Sequence, residues 1–305
     1  MGKIAFVFAG QGAQAPGMGQ TLYNEFEAAK KVFATVDSIR PGTSNQCFAG
    51  TEEELKNTAN TQPCMYAVEV AAAAVLKEAG VEADMCAGFS LGELSALTYA
   101  GSMDIETGTR LVMRRGELMQ AAAMEYDTSM AAVVKLPNEE VEKVCSQFKQ
   151  VYPVNYNCPG QVSCSGAAAE MNDFAAAVKA AGGRAIPIKV SGAFHSPFMD
   201  GAANEFKKLI KTVEFAPTQI PVYSNCTAAP YGDDIVGTLG QQINNPVKWE
   251  TIIRAMIADG VDTFIELGPG KTLSGFIKKI DGTVKTFTCA GTDDVNAILA
   301  EVKNA

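Results

Sequence analysis

The chain has 305 residues, of which 47% are hydrophobic and 19% charged, with a net charge of −9. That size and balance describe a folded globular protein with a full core rather than a disordered one. The acidic excess argues against nucleic acid as a main partner, since phosphate binding draws on an excess of Lys and Arg. No apolar run approaches the ~18 residues of a membrane span, so no membrane partner is expected.

In chain order, residues 4–9 read as an apolar strand running into a Gly-rich turn, and residues 19–38 as a helix. Residues 62–79, rich in Ala and Val, have helical length. Residues 85–88 form a short apolar strand, followed by helices over 90–100 and 107–124. Near the end, 221–224 and 263–267 read as strands, with helices starting at about 246 and 271. Strands alternating with helices predict a mostly parallel sheet covered on both faces.

The middle differs. Residues 130–136 read as a strand, and Pro137 followed by acids opens a helix. Residues 152–156 and 161–165 are strands joined at Pro159-Gly160, 167–181 is an Ala-rich helix stopped by Gly182-Gly183, and 185–190 is a last strand. The order βαββαβ is ferredoxin-like. The expected fold class is therefore α/β, with a ferredoxin-like small subdomain at 126–190 inserted into a large subdomain made of 1–125 and 191–305.

Eight cysteines at 47, 64, 86, 145, 158, 164, 226 and 289 form no Cys-x-x-Cys pair, and the chain has one histidine. No metal site is expected. The opening residues lack a signal-peptide pattern, so reduced thiols and a cytoplasmic location are expected.

The sharpest chemical signal is Gly88-Phe-Ser-Leu-Gly-Glu93, a Gly-x-Ser-x-Gly nucleophile elbow between a strand and a helix. There the Ser90 hydroxyl would stand at a helix N-terminus, which favours developing negative charge. The bland alternative is a tight turn with no chemistry. A serine hydroxyl needs a base to become a nucleophile, and His195 is the one imidazole available. A buried structural role is the alternative for it.

A second Gly-rich segment, Ala9 to Ala15, fits the dinucleotide pattern Gly-x-Gly-x-x-Ala at Gly10, Gly12 and Ala15. The acid expected ~20 residues on would be Asp37, but it falls in a helical stretch. The other reading is a loop that offers backbone N–H groups to an oxyanion, with Gln11 beside the serine. Gly268-Pro-Gly-Lys-Thr272 looks like the end of a phosphate loop, but Ile265 stands where the first glycine belongs, so it reads as a strand-to-helix turn. Arg115, on the helix over 107–124, becomes interesting if a substrate carries a carboxylate, which Arg meets with two parallel hydrogen bonds.

Taken together, the motifs resemble the malonyl-CoA:acyl-carrier-protein transacylase family over nearly the whole chain. The likeness runs through Phe8-Ala-Gly-Gln-Gly-Ala-Gln14, Thr61-Gln-Pro63, the elbow, Met113-Arg-Arg-Gly-Glu-Leu-Met119 and Asn155-Tyr-Asn-Cys-Pro-Gly-Gln161. Gly192-Ala-Phe-His195, Asn245-Pro-Val247 and Glu266-Leu-Gly-Pro-Gly270 complete it in family order.

The resemblance implies an α/β-hydrolase-like large subdomain and a malonyl transfer from malonyl-CoA to the phosphopantetheine thiol of acyl carrier protein. Serving fatty-acid synthesis, the transfer would be ping-pong, through an ester on Ser90. It implies His195 as base, oriented by the backbone carbonyl of Gln242, and an oxyanion hole from the N–H groups of Gln11 and Leu91. Arg115 would hold the malonyl carboxylate, with Gln62 and Phe194 also at the substrate. Phe194 would leave no room for a methyl branch. No metal or redox cofactor is implied, and a monomer is expected. Arg184, Lys189, Lys271, Lys278 and Lys279 are candidates for a local basic patch facing an acidic carrier. The sequence departs from the family at Phe89, where His is usual. A serine hydrolase or thioesterase and a polyketide-pathway acyltransferase are the rival readings.

Overall fold

The computed structural model describes residues 2–188, 190 and 192–303; Lys189 of the basic candidates lies outside them. Among these residues nine strands form two sheets. The strands are β1 (Lys3–Phe8), β2 (Met85–Gly88), β3 (Thr128–Val134), β4 (Val151–Cys158), β5 (Gln161–Ala167), β6 (Arg184–Ile188), β7 (Val222–Tyr223), β8 (Val261–Leu267) and β9 (Lys285–Cys289).

The first sheet is parallel, in the order β7-β2-β1-β8-β9. Its central strand is buried from Ile4 to Phe8, the mark of a strand covered on both faces. The chain leaves β1 first toward β2 and later returns on the other side as β8, so the order reverses at β1. Phe8 lies level with both Gly88 and Leu267. The loops leaving β1, β2 and β8 therefore emerge together at the carboxyl end of the sheet, where ligands bind in such folds.

The second sheet is antiparallel, in the order β4-β5-β3-β6. Helices Asn138–Cys145 and Ala168–Ala180 pack on it, around Val133, Val141, Val162, Phe174 and Val178. This is the ferredoxin-like order expected from the sequence. Hydrogen bonds from Tyr156 N to Val247 O (2.9 Å) and from Val247 N to Val154 O (2.8 Å) tie β4 to the segment before helix Trp249–Ala258.

The predicted helix over 19–38 is two helices, Gln20–Glu25 and Glu27–Ile39, because Phe26 between them is extended (φ −119°, ψ 126°). The helix predicted over 90–100 begins at Gly92, since Ser90 is left-handed. Asp37 sits within helix Glu27–Ile39 and accepts hydrogen bonds from the Ser44 N–H and hydroxyl, so it ends no strand and faces no nucleotide. At the end of β8, the Glu266 carboxylate accepts from the N–H groups of Leu273 (3.0 Å) and Ser274 (2.7 Å) at the start of helix Thr272–Ile280. The chain's own acid fills the place a phosphate would take.

Candidate active site

The turn after β2 is as tight as its spacing implies. A Cβ on Gly88 would lie 1.8 Å from the carbonyl carbon of Gly92, and a Cβ on Gly92 would lie 2.3 Å from the oxygen of Phe8. Neither position admits a side chain. Between them Ser90 holds φ 53°, a left-handed conformation that non-glycine residues adopt at a cost of about 1–3 kcal/mol when the surroundings impose it. The result lifts the Ser90 hydroxyl out of the sheet at the start of helix Gly92–Tyr99.

Ser90 Oγ lies 2.7 Å from His195 Nε2. His195 comes from the loop beyond β6 and is also left-handed, φ 60°, with its N–H bonded to Ile243 O. Its Nδ1 faces two carbonyl oxygens, Gln242 O at 3.0 Å and Asn245 O at 3.1 Å. Carbonyls only accept, so Nδ1 carries the proton and Nε2 is left to accept from Ser90. The imidazole is 3% exposed. Burial, and then the nearby Arg115 charge, hold its pKa down to about 4 against the pull of the two carbonyls. The ring is therefore neutral at physiological pH.

Arg115 reaches the same hydroxyl from helix Ile105–Glu125 and is fully buried. Its Nη2 donates to Ser90 Oγ (3.1 Å) and to Gln242 Oε1 (2.7 Å), and its Nη1 donates to Gln62 Oε1 (2.9 Å). Burial pulls the guanidinium down to about 10, which leaves it charged. Gln62, on helix Thr58–Glu78, thus steers the arginine, and its own Nε2 rests on Met119 Sδ at 3.3 Å. Gln242 does more than the sequence implies. Besides the carbonyl it turns to His195, its side chain accepts from Arg115 and donates to Ser90 O at 2.5 Å.

A cavity of about 310 Å³ opens over the serine, lined by Ser90, Gln11, Leu91, Arg115, Phe194 and His195. Its far wall is the antiparallel sheet, through Met130, Asn155, Asn157 and Ser163. Among the described residues neither the Gln11 nor the Leu91 N–H has an intrachain acceptor, and the Gln11 side chain is tied to Thr58 Oγ1 at 3.2 Å. Phe194 is 7% exposed and borders the cavity. Phe89 also borders it, with its ring packed edgewise on Trp249 at 5.4 Å.

Of the site residues named from the sequence, Ser90, His195, Arg115, Gln11, Leu91, Gln62 and Phe194 line this cavity, and Gln242 stands behind them, bonded to Arg115, His195 and Ser90. The sequence reading leaves out three others. Asn245 shares the histidine proton, Asn225 accepts from Ser90 N, and Glu93 lies buried behind the elbow. Burial raises the Glu93 carboxyl to about 7, opposed by a hydrogen bond from Tyr231. Asn245 and Glu93 stand inside quoted motifs, but Asn225 has no local signal. Among the described residues no group of His, Cys, Asp or Glu could hold a metal ion, and no helix is long and apolar enough to cross a membrane.

This geometry agrees with what the chain is similar to. The family model "Acyl transferase domain" matches residues 5–294. A malonyl CoA-acyl carrier protein transacylase of Bacillus subtilis is 38% identical, covering 99% of this chain and 98% of its own. One from Synechocystis is 36% identical over 97% of this chain and its whole length. The crystal structure of a transacylase of the same name from Clostridium perfringens superposes with a TM-score of 0.96 at 35% identity, covering 99% and 98% of the two chains. A malonyl-transacylase solved in complex with its type II polyketide-synthase acyl carrier protein superposes at 0.94, with 34% identity over 98% of this chain and 99% of that one. With a buried arginine on its serine–histidine pair and relatives matched end to end, the chain belongs to the acyl transferase domain family.

Proposed function

We propose that this protein moves a malonyl group from malonyl-CoA to the phosphopantetheine thiol of an acyl carrier protein, in fatty-acid synthesis, through an ester on Ser90. The observation that carries the reading is the shared hydroxyl. Ser90 Oγ lies within hydrogen-bond reach of both a neutral imidazole and a buried guanidinium. Simple ester hydrolysis has no need of a buried cation at the acyl group, whereas a substrate with a free carboxylate does. The names of the relatives point the same way.

The chemistry follows from the contacts. As Ser90 Oγ attacks the thioester carbonyl, its proton passes to His195 Nε2. The tetrahedral oxyanion turns to the N–H groups of Gln11 and Leu91, each such donor being worth about 2.7–4 kcal/mol in the transition state. The C–S bond breaks, the departing sulfur takes the proton from the imidazolium, and CoA leaves. Burial disfavours the charged imidazolium, which makes it a ready proton donor to a departing thiolate. The carrier thiol then gives its proton to His195 and attacks the ester, and Ser90 recovers its hydrogen as it leaves. Arg115, freed from part of its bonding to Gln242 and Ser90, would take the malonyl carboxylate with two parallel hydrogen bonds. Phe194 would close the space a methyl branch needs.

The carrier protein is the proposed second partner, and one relative has been solved with its own. Exposed Arg184, Lys271, Lys278 and Lys279 would receive its acidic surface. Lys279 Nζ is bonded to Gln161 Oε1 at the cavity wall (3.3 Å), which supports a carrier surface that includes Lys279. No metal or redox cofactor takes part in the reading, and the protein would act as a cytoplasmic monomer.

Intact-mass spectrometry after mixing with malonyl-CoA tests the proposal. A malonyl adduct on Ser90, discharged by holo-carrier protein and absent from Ser90→Ala, is expected, and methylmalonyl-CoA should load far more slowly. Release of free malonate at the same rate with and without carrier would identify a hydrolase instead.

A further inference from the structure

We propose that Asn225 is a positioning residue that holds the Ser90 turn in its reactive shape by standing in for the backbone of a neighbouring strand. The inference rests on the reading of Ser90 as nucleophile. β7 runs beside β2 in parallel register, with Cys86 opposite Val222 and Ala87 opposite Tyr223. Continued by two residues, that register sets Phe89 opposite Asn225. In a parallel ladder the residue opposite Phe89 would accept from the N–H after it and donate to the carbonyl before it. The Asn225 side chain makes those two bonds. Its Oδ1 accepts from Ser90 N at 2.7 Å, and its Nδ2 donates to Gly88 O at 2.6 Å.

The substitution of side chain for backbone has a reason. β2 ends at Gly88 because the chain must turn sharply there, and β7 ends at Tyr223. Past that point the two main chains diverge, and the turn's N–H and carbonyl would be left without partners in a buried place, which costs free energy. A carboxamide carries a donor NH2 and an acceptor oxygen side by side on a short stem and can satisfy both at once. Asn225 is itself 0% exposed and anchored at both ends of its own peptide. Its N–H donates to Glu93 Oε1 (3.2 Å), and its carbonyl accepts from Lys248 N (3.0 Å). Glu93 belongs to helix Gly92–Tyr99, just beyond the elbow. The clamp therefore grips the turn from behind while Gln242 Nε2 holds Ser90 O from the front. Held from both sides, the left-handed φ of Ser90 sets the direction of Oγ toward His195.

Two variants separate this role from plain structural support. Asn225→Ala removes both bonds, and Asn225→Asp keeps the volume and the acceptor but removes the donor. Two rates would be measured per folded molecule, with the folded fraction set by circular dichroism: labelling of Ser90 by a fluorophosphonate, and formation of malonyl-Ser90 from malonyl-CoA. Misplacing a reacting atom by about 1 Å costs about 100-fold. Asn225→Ala should therefore lose about that factor in both rates at saturation, with the KM for malonyl-CoA held within about threefold and Asn225→Asp falling between it and wild type. Wild-type rates in the folded fraction of Asn225→Ala would overturn the proposal. So would a defect confined to KM. Should wild type react with the fluorophosphonate at Ser90 but take no malonyl group, the substrate assignment falls and the clamp is judged on the fluorophosphonate rates alone.

Discussion

The acidity of His195 can be measured directly, because the residue must be neutral to accept the Ser90 proton. An ordinary histidine titrates near 6.5, whereas burial and Arg115 hold this one at about 4. The sign follows. A base with a lowered pKa is already free at low pH, so the acylation rate is retained as pH falls and is lost only on passing through about 4. At pH 5 about 90% of such imidazole is free base, against about 3% of one at the ordinary value, a difference of about thirtyfold. The assay is quenched-flow mass spectrometry of malonyl-Ser90, with malonyl-CoA held below KM so that the profile reports the free enzyme. An inflection near 6.5 would refute the argument. Arg115→Gln, which removes the second cause of the shift, should move the inflection upward. With saturating malonyl-CoA the substrate carboxylate offsets the same charge, so the kcat inflection should lie above that of kcat/KM.

Three further outcomes follow from the contacts. Arg115→Ala should lower kcat/KM for malonyl-CoA by about 10²–10⁴-fold, two charged hydrogen bonds at about 1.5–3 kcal/mol each, while acetyl-CoA loading holds or rises; equal loss for both would remove the arginine from substrate recognition. Gly88→Ala drives a methyl group into the Gly92 backbone and should cost about 3 kcal/mol or more, read as a lowered urea midpoint, with an unchanged midpoint counting against the tight-turn argument. Lys271→Glu combined with Lys278→Glu should weaken turnover with the carrier protein far more than loading from malonyl-CoA, and equal effects on the two half-reactions would move the docking surface elsewhere.

What could be read from the sequence depended on range. The elbow was legible because its demands are local: an apolar strand, glycines two residues either side of Ser90, and a helix after it. The ferredoxin-like order was legible because turns at Pro159-Gly160 and Gly182-Gly183 mark its strands and helix off cleanly. Other local signals lie in the sequence as well. Thr51 and Glu54 form a reciprocal cap that opens helix Glu52–Lys56, and helix Asp200–Ile210 buries Ala202, Ala203, Phe206 and Ile210 on one face. Asn225 was not legible at all. Its role depends on a partner 135 residues away, and nothing in Ser224-Asn225-Cys226 distinguishes it from a turn. The same holds for the side chain of Gln242, since the resemblance implied only its carbonyl.

Trp249 is the one tryptophan of the chain, and it is fully buried with its indole against Phe89, the residue before the serine. Nature has thus put a single optical probe one side chain away from the reacting oxygen. Its emission comes from one place, so a change on mixing with an acyl thioester needs no deconvolution among competing fluorophores of its kind. Stopped-flow fluorescence of the unlabelled protein can then follow loading and discharge of Ser90 in real time, and a phenylalanine at position 89 puts no titrating imidazole beside the indole to quench that signal.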